Sequence, residues 1–96
     1  MFSVEKTDVF LKWLRNLNDV RAVARIQIRI DRLSLGNMGD VKAVGEGISE
    51  MRIDYGPGYR VYFKKSGRHV VLLLCGGNKS SQDADIKAAK HMAKDL

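Results

Sequence analysis

The sequence predicts an α+β domain in which an N-terminal helix pair packs on a mainly antiparallel four- to five-stranded sheet and a C-terminal helix ends the chain. Three observations carry this expectation. Apolar residues recur at helical spacing from Phe10 to Leu33, alternate with polar ones or run together in short segments from Asp40 to Cys75, and return to helical spacing after Ser81. The two patterns are segregated along the chain rather than interleaved, as they would be in a parallel α/β sheet. A length of 96 residues suits a single domain, 1–96, and there is no repeat, linker or low-complexity tract.

Phe2 and Val4 alternate with polar neighbours, which predicts a short first strand over residues 2–6. Thr7 or Asp8 then caps a helix with Phe10, Trp13, Leu14 and Leu17 on one face. Asp19 is placed to cap a second helix, with Val23, Ile26, Ile30 and Leu33 on one side and Gly36 at its stop. Ile26-Gln27-Ile28-Arg29-Ile30 also alternates like a strand, but the apolar stripe outruns a normal strand and favours the helix. Arg21, Arg25, Arg29 and Arg32 form a second row along it, either a solvated basic face or a face for phosphate or acidic groups. The turn-rich Leu35 to Asp40 segment closes this half.

Four strands are expected next, over 40–44, 48–54, 59–65 and 69–75. Tyr55-Gly56-Pro57-Gly58-Tyr59 joins the middle two: proline presets one φ angle and a glycine accepts a positive one. Strand alternation places Met51, Ile53, Val61 and Phe63 on one face of this hairpin and Glu50, Arg52, Asp54, Arg60, Tyr62 and Lys64 on the other. The run from Val70 to Cys75 is apolar on both parities, so it reads as a central strand, and Gly76-Gly77-Asn78 is expected to break it. A last helix is expected from Ser80 or Ser81, with Asp83 and Asp85 near its positive end and a stripe of Ile86, Ala89, Ala93 and Leu96. With the helix pair on one sheet face, the other is expected to be partly covered and to hold a basic groove.

Seventeen Lys and Arg against eleven Asp and Glu give a net charge of +6 and a pI near 9.7. That balance favours a polyanionic partner such as nucleic acid, although an acidic protein would also satisfy it. The single cysteine, Cys75, excludes a disulfide framework and is expected to be buried and inert. His69 and His91 are the only histidines, and no Cys/His/carboxylate cluster has metal-ligand spacing, so neither metal nor cofactor is expected. The N-terminus lacks the apolar region of a signal peptide, and no apolar run approaches the roughly 20 residues of a membrane span. A cytoplasmic location is expected.

Glu50-x-Arg52, Tyr55-Gly-Pro-Gly-Tyr59-Arg60-Val-Tyr62-Phe, the apolar strand ending at Gly76-Gly77, and Lys79-Ser-Ser-Gln82-x-x-Asp85-Ile86-x-x-Ala89 together resemble the phage-derived, HigB-like addiction-module killer proteins of the RelE/ParE toxin superfamily. The resemblance covers nearly the whole chain. It implies a RelE-like fold and the toxin of a type II toxin-antitoxin system: a metal-independent endoribonuclease that cuts messenger RNA on the ribosome and inhibits translation. The partners it implies are a helix-turn-helix antitoxin, the ribosome and messenger RNA.

Cleavage through the ribose 2′-hydroxyl needs a group to take that proton, cations for the pentacoordinate phosphate and a proton for the leaving 5′-oxygen. The resemblance implies Arg60 as the phosphate-stabilising cation, with Arg52 and Lys79 beside it, and these three are the candidate catalytic residues. An ion pair of Arg60 with Glu50 or Asp54, a salt bridge of Arg52 with Glu50, and a solvated loop position for Lys79 are the structural alternatives. Tyr62, Lys64 and Lys65 are the candidate RNA-binding residues, Tyr62 by stacking on a base or, alternatively, packing at the edge of the core. Glu50, Gln82 and Asp85 are candidates for supporting the site, by helix capping and sheet-to-helix hydrogen bonds or in catalysis itself. Several ribosome-dependent members of that superfamily use a C-terminal tyrosine or histidine-aspartate pair as acid or base. Here no tyrosine follows Tyr62 and His91 lies well along the last helix, so the proton-transfer residue stays unassigned. Two rival functions share the fold: a ParE-like poison of DNA gyrase without nuclease activity, and an inactive RNA- or protein-binding module.

Overall fold

The helix caps form where the sequence places them. In the computed structural model, which describes residues 1–96, Thr7 Oγ1 accepts the Phe10 N–H at 3.0 Å and starts α1 (Asp8–Arg15). Asp19 Oδ1 accepts the N–H groups of Arg21 and Ala22 and starts α2 (Val20–Ser34). Beyond α2, the Asn37 N–H donates to Arg32 O and the Gly36 N–H to Leu33 O, a Schellman stop that the positive φ of Gly36 permits. Thr7 Oγ1 also donates to Leu74 O at 2.6 Å, tying the start of α1 to the sheet.

The remaining elements are β1 (Ser3–Lys6), β2 (Val41–Gly45), β3 (Ile48–Ile53), β4 (Tyr59–Ser66), β5 (Val70–Asn78), a 3₁₀ turn (Lys79–Ser81) and α3 (Gln82–Lys94). The five strands form one sheet in the order β1-β5-β4-β3-β2. Only the β1–β5 pairing is parallel, so the sheet is mainly antiparallel, as expected. No helix is long and apolar enough to cross a membrane.

Both sheet faces are packed. Phe10 of α1 and Ile26, Ile30 and Leu33 of α2 cover Met51, Ile53, Val61, Phe63, Val71 and Leu73. On the opposite face Ile48, Tyr62, Leu74 and Cys75 lie under Ala89 and Ala93 of α3. Full burial of a side chain such as Leu, Ile or Phe contributes about 1.5–3 kcal/mol, so the two clusters supply the main cohesion of the fold. The sheet face expected to hold an open groove is therefore roofed by α3, and open polar surface is displaced to the turn end of the sheet.

One strand is longer than the sequence suggested. Instead of breaking at Gly76, β5 continues to Asn78, pairing Gly76 with Val61, Gly77 with Arg60 and Asn78 with Tyr59. The glycines serve close packing here: a Cβ on Gly76 would collide with the Trp13 ring, and one on Gly77 with the Asp85 carboxylate. A register shift opposite Tyr62 and Phe63 turns both Leu74 and Cys75 toward α3, which is how consecutive residues share one face. Two apolar residues fall outside their expected helices. Leu17 lies beyond α1, and Leu96 lies beyond α3 and is exposed.

Candidate functional site: a cationic cleft at the turn end of the sheet

Past β3 the chain turns through Tyr55-Gly56-Pro57-Gly58, closed by the Gly58 N–H donating to Tyr55 O at 3.1 Å. Gly56 and Gly58 both have positive φ, the conformation the turn demands of them. The turn is anchored to α2. Tyr55 Oη donates to Asp19 Oδ2 at 3.0 Å, and the Arg25 guanidinium lies 4.7 Å from the centre of the Tyr55 ring. The shared hydrogen bond holds the Asp19 carboxyl below its ordinary pKa and pushes the Tyr55 phenol above its own.

The β3–β4 register sets Arg52 directly opposite Arg60. Like charges at opposed strand positions repel, and each arginine is held by a carboxylate of its own. Asp40 Oδ1 accepts from Arg52 Nη2 at 2.9 Å and from Nε at 3.2 Å, which raises the Arg52 pKa. Glu50 Oε2 lies 3.5 Å from Arg60 Nε. Arg60 Nη1 donates to Gly58 O at 3.0 Å, and Nη2 has no acceptor in the protein. Lys79 opens the 3₁₀ turn beyond β5, and a side chain at Gly58 would touch both its Cβ and the Arg60 fork.

Arg52, Arg60 and Lys79 thus line one open cleft of about 370 Å³, together with Asp40, Asp54 and Tyr59. Of the two cleft carboxylates, Asp40 is taken by Arg52, whereas Asp54 forms no ion pair. The arrangement presents three cations and one uncommitted carboxylate, which suits a phosphate group and a proton acceptor beside it.

Under the cleft, Glu50 is 0% exposed. Its Oε2 accepts from Tyr62 Oη at 3.2 Å and from Gln82 Nε2 at 2.8 Å, while Oε1 and Arg60 Nε find no hydrogen-bond partner in the protein. Burial, followed by the Glu50 charge, drives the Tyr62 pKa upward. Asp85 Oδ2 accepts from Ser81 Oγ at 2.5 Å and packs on Gly77. Glu50 and Gln82 therefore fasten the start of α3 to the strands that carry Arg52 and Arg60, and Asp85 packs it on β5. The Asp40 partner of Arg52 replaces the Glu50 bridge considered from the sequence, while the Arg60–Glu50 pair is the anticipated one.

The expected RNA-binding trio does not assemble with these cations. Tyr62 is 0% exposed beneath α3 and presents no ring face for a base. Lys64 lies four residues along β4 from Arg60, about 13 Å at strand rise. Lys65 faces the helix-pair side, its Nζ 5.4 Å from the centre of the Phe2 ring. Tyr59, edge-on to Trp13 at 6.3 Å between ring centres, is the aromatic residue in the cleft. Strand parity alone pointed to Tyr62, because the burial of that face by α3 is a long-range effect.

Asp40 was missed for a similar reason. Arg29 Nη1 donates to Arg52 O at 2.5 Å, while Nη2 donates to Met38 O and Asp40 O at 3.2 and 3.3 Å, and these bonds fold the Met38–Asp40 loop against β3. Neither His69 nor His91 lines the cleft. Burial pushes the Cys75 thiol up to about 12, so it is no nucleophile.

No protein-family model matches the chain. It is similar to an uncharacterized protein of Haemophilus influenzae, 53% identical over 93 residues that span 97% of this chain and 94% of that protein. Identity of that degree over nearly the full length of both chains makes this protein a member of the same family as the Haemophilus protein.

Proposed function

We propose that this protein is the toxin of a type II toxin-antitoxin system, a metal-independent endoribonuclease that cuts messenger RNA on the ribosome. The observation that carries the reading is the convergence of Arg52, Arg60 and Lys79 on one cleft from three separate stretches of the chain. It adds to the resemblance of the Glu50–Arg60 and Lys79–Ala89 motifs to HigB-like killer proteins.

In this mechanism the scissile phosphate lies among the three cations. The 2′-oxygen attacks phosphorus, the bond to the 5′-oxygen breaks, and a 2′,3′-cyclic phosphate and a free 5′-hydroxyl result. Arg60 Nη2 and Arg52 hold the equatorial oxygens, whose negative charge grows in the transition state. Lys79, with no ion-pair partner, gives a proton from its ammonium to the departing 5′-oxygen and regains one from solvent. Asp54 takes the proton of the 2′-hydroxyl, since Asp40 is committed to Arg52. Glu50 positions Arg60 and does not touch the substrate.

Expression of the protein should arrest growth in the cytoplasm of a bacterial host, and coexpression of a helix-turn-helix antitoxin encoded beside it should relieve the arrest. Arg60→Ala should abolish the arrest, and although it leaves the buried Glu50 without its counter-charge and so lowers the urea midpoint, the purified variant should keep a single cooperative unfolding transition. Arrest that persists in Arg60→Ala would refute the assignment of the cleft. A non-cleaving binding module is the second reading, favoured by the carboxylate held against each arginine. RNA binding that falls steeply with salt, without any product carrying a cyclic phosphate, would select it. Relaxed plasmid DNA in treated extracts would instead select a ParE-like gyrase poison.

A further inference from the structure

A second groove borders the cleft. It has a volume of about 240 Å³, lies between α2 and the end of β3, and is lined by Arg25, Ile28, Arg29, Arg32, Ile53 and Asp54. Ile53 and Asp54 line both depressions, so the two adjoin at the end of β3.

The arginines of α2 do not behave as a uniform solvated row. The Arg29 guanidinium is spent on the carbonyls of Met38, Asp40 and Arg52, and burial lowers its pKa. It fixes the wall between the two grooves, because the loop it holds is the one that presents Asp40 to Arg52. A Cβ on Gly39 would come within 3.0 Å of Arg29 Nη2, so this loop is fitted closely to the arginine. Arg25 is placed over the Tyr55 ring. Neither Arg25 nor Arg32 forms an ion pair, and Ile28 between them is 49% exposed.

We infer that the α2 groove is an extension of the RNA site, in which Arg25 and Arg32 bind backbone phosphates of the single strand whose scissile phosphate lies in the cleft. The inference rests on the ribonuclease reading of the cleft. It accounts for two cations without ion-pair partners beside an exposed apolar residue, in a groove that adjoins the cleft of Arg52, Arg60 and Lys79. A polyanion with regularly spaced charges can span both depressions, and the exposed Ile28 is suited to the face of one of its bases. Asp54, at the shared lip, is the single acidic residue lining this second groove.

The test is binding of a fluorescent twelve-nucleotide 2′-O-methyl RNA, which cannot be cleaved, measured by anisotropy across a salt series. Loss of two phosphate contacts lowers the log–log salt slope by about 1.4 for a single strand. Carried from 1 M salt, where the ionic contribution vanishes, to 0.1 M, that slope amounts to about a 25-fold weaker affinity. Arg25→Ala combined with Arg32→Ala should show both changes, and Arg25→Lys combined with Arg32→Lys should restore the slope. Arg60→Ala should lower the slope by about 0.7 at most while abolishing cleavage of ordinary RNA. An unchanged slope and affinity in the double alanine variant, with wild-type cleavage, would overturn the groove assignment and leave the cleft reading standing. Salt-insensitive or undetectable RNA binding by the wild-type protein would overturn the groove assignment, and the absence of cleavage in a translation reaction would overturn the cleft reading beneath it. If the double alanine variant keeps its RNA affinity but loses binding of a twelve-residue polyglutamate peptide, the groove is a protein-docking surface and the inference is wrong.

Discussion

Replacing Glu50 by alanine should destabilise the domain by about 3–5 kcal/mol, the range for removing one partner of a buried ion pair. The magnitude follows from what the side chain holds: Glu50 is 0% exposed, pairs with Arg60 and accepts hydrogen bonds from Tyr62 and Gln82 through one oxygen. Alanine leaves the buried Tyr62 hydroxyl without an acceptor and Arg60 opposite Arg52 without its counter-charge. Each kilocalorie corresponds to roughly 4–8 °C in a domain of this size, so Tm should fall by about 12–40 °C. Glu50→Gln preserves shape and an acceptor oxygen but not the charge, and should cost about 1–3 kcal/mol. Urea unfolding followed through the fluorescence of Trp13, which packs on Gly76 and against Tyr59, measures both changes. The glutamine variant should also lose RNA cleavage before it loses RNA binding, because the Arg60 fork is no longer held. An alanine variant within about 1 kcal/mol of wild type would refute the view that Glu50 is the keystone beneath the cleft.

Gly76→Ala should cost about 1–3 kcal/mol, because the added methyl meets the rigid Trp13 ring, and a lower urea midpoint would register it. The Cys75 thiol, raised by burial from 9.0 to about 12, should resist disulfide reagents at pH 8 in the folded protein and react fully in urea. The same shift makes stability decline as pH rises from about 9 toward 12, since the unfolded thiol ionises first. Asp19 has the opposite sign: its pKa is depressed chiefly by Tyr55, so its contribution is present above the ordinary carboxylate range and is lost as pH falls through the folded-state value. Tyr55→Phe removes part of that contribution, and its Tm should decline less than that of the wild type between pH 5 and pH 2.

Local chemistry was the legible part of this sequence. Thr7, Asp19 and Gly36 terminate helices because capping is settled within a few residues, and the alternation of Met51, Ile53, Val61 and Phe63 places them on the helix-pair face as expected. The Gly-Pro-Gly turn and the polar parity of Arg52 and Arg60 were likewise readable, and the motif resemblance joined Lys79 to them. Long-range packing was not readable. Gly76 and Gly77 look like strand breakers until Trp13 and Asp85 are seen pressing on them. Tyr62 looks like a base-stacking residue until α3 covers it, and Asp40 looks like a loop residue until Arg29 folds that loop onto β3. Asp54 enters the cleft just past the end of β3, where strand parity no longer fixes direction, and Tyr59 reaches it from the first position of β4.

The ribonuclease reading is tested most directly by adding the purified protein to a translation reaction assembled from purified components and mapping the messenger RNA ends by primer extension. Cuts at defined codon positions, upstream fragments ending in 2′,3′-cyclic phosphate, and no cutting by a folded Arg60→Ala variant are the predicted result. Intact messenger RNA with undiminished protein synthesis would contradict it.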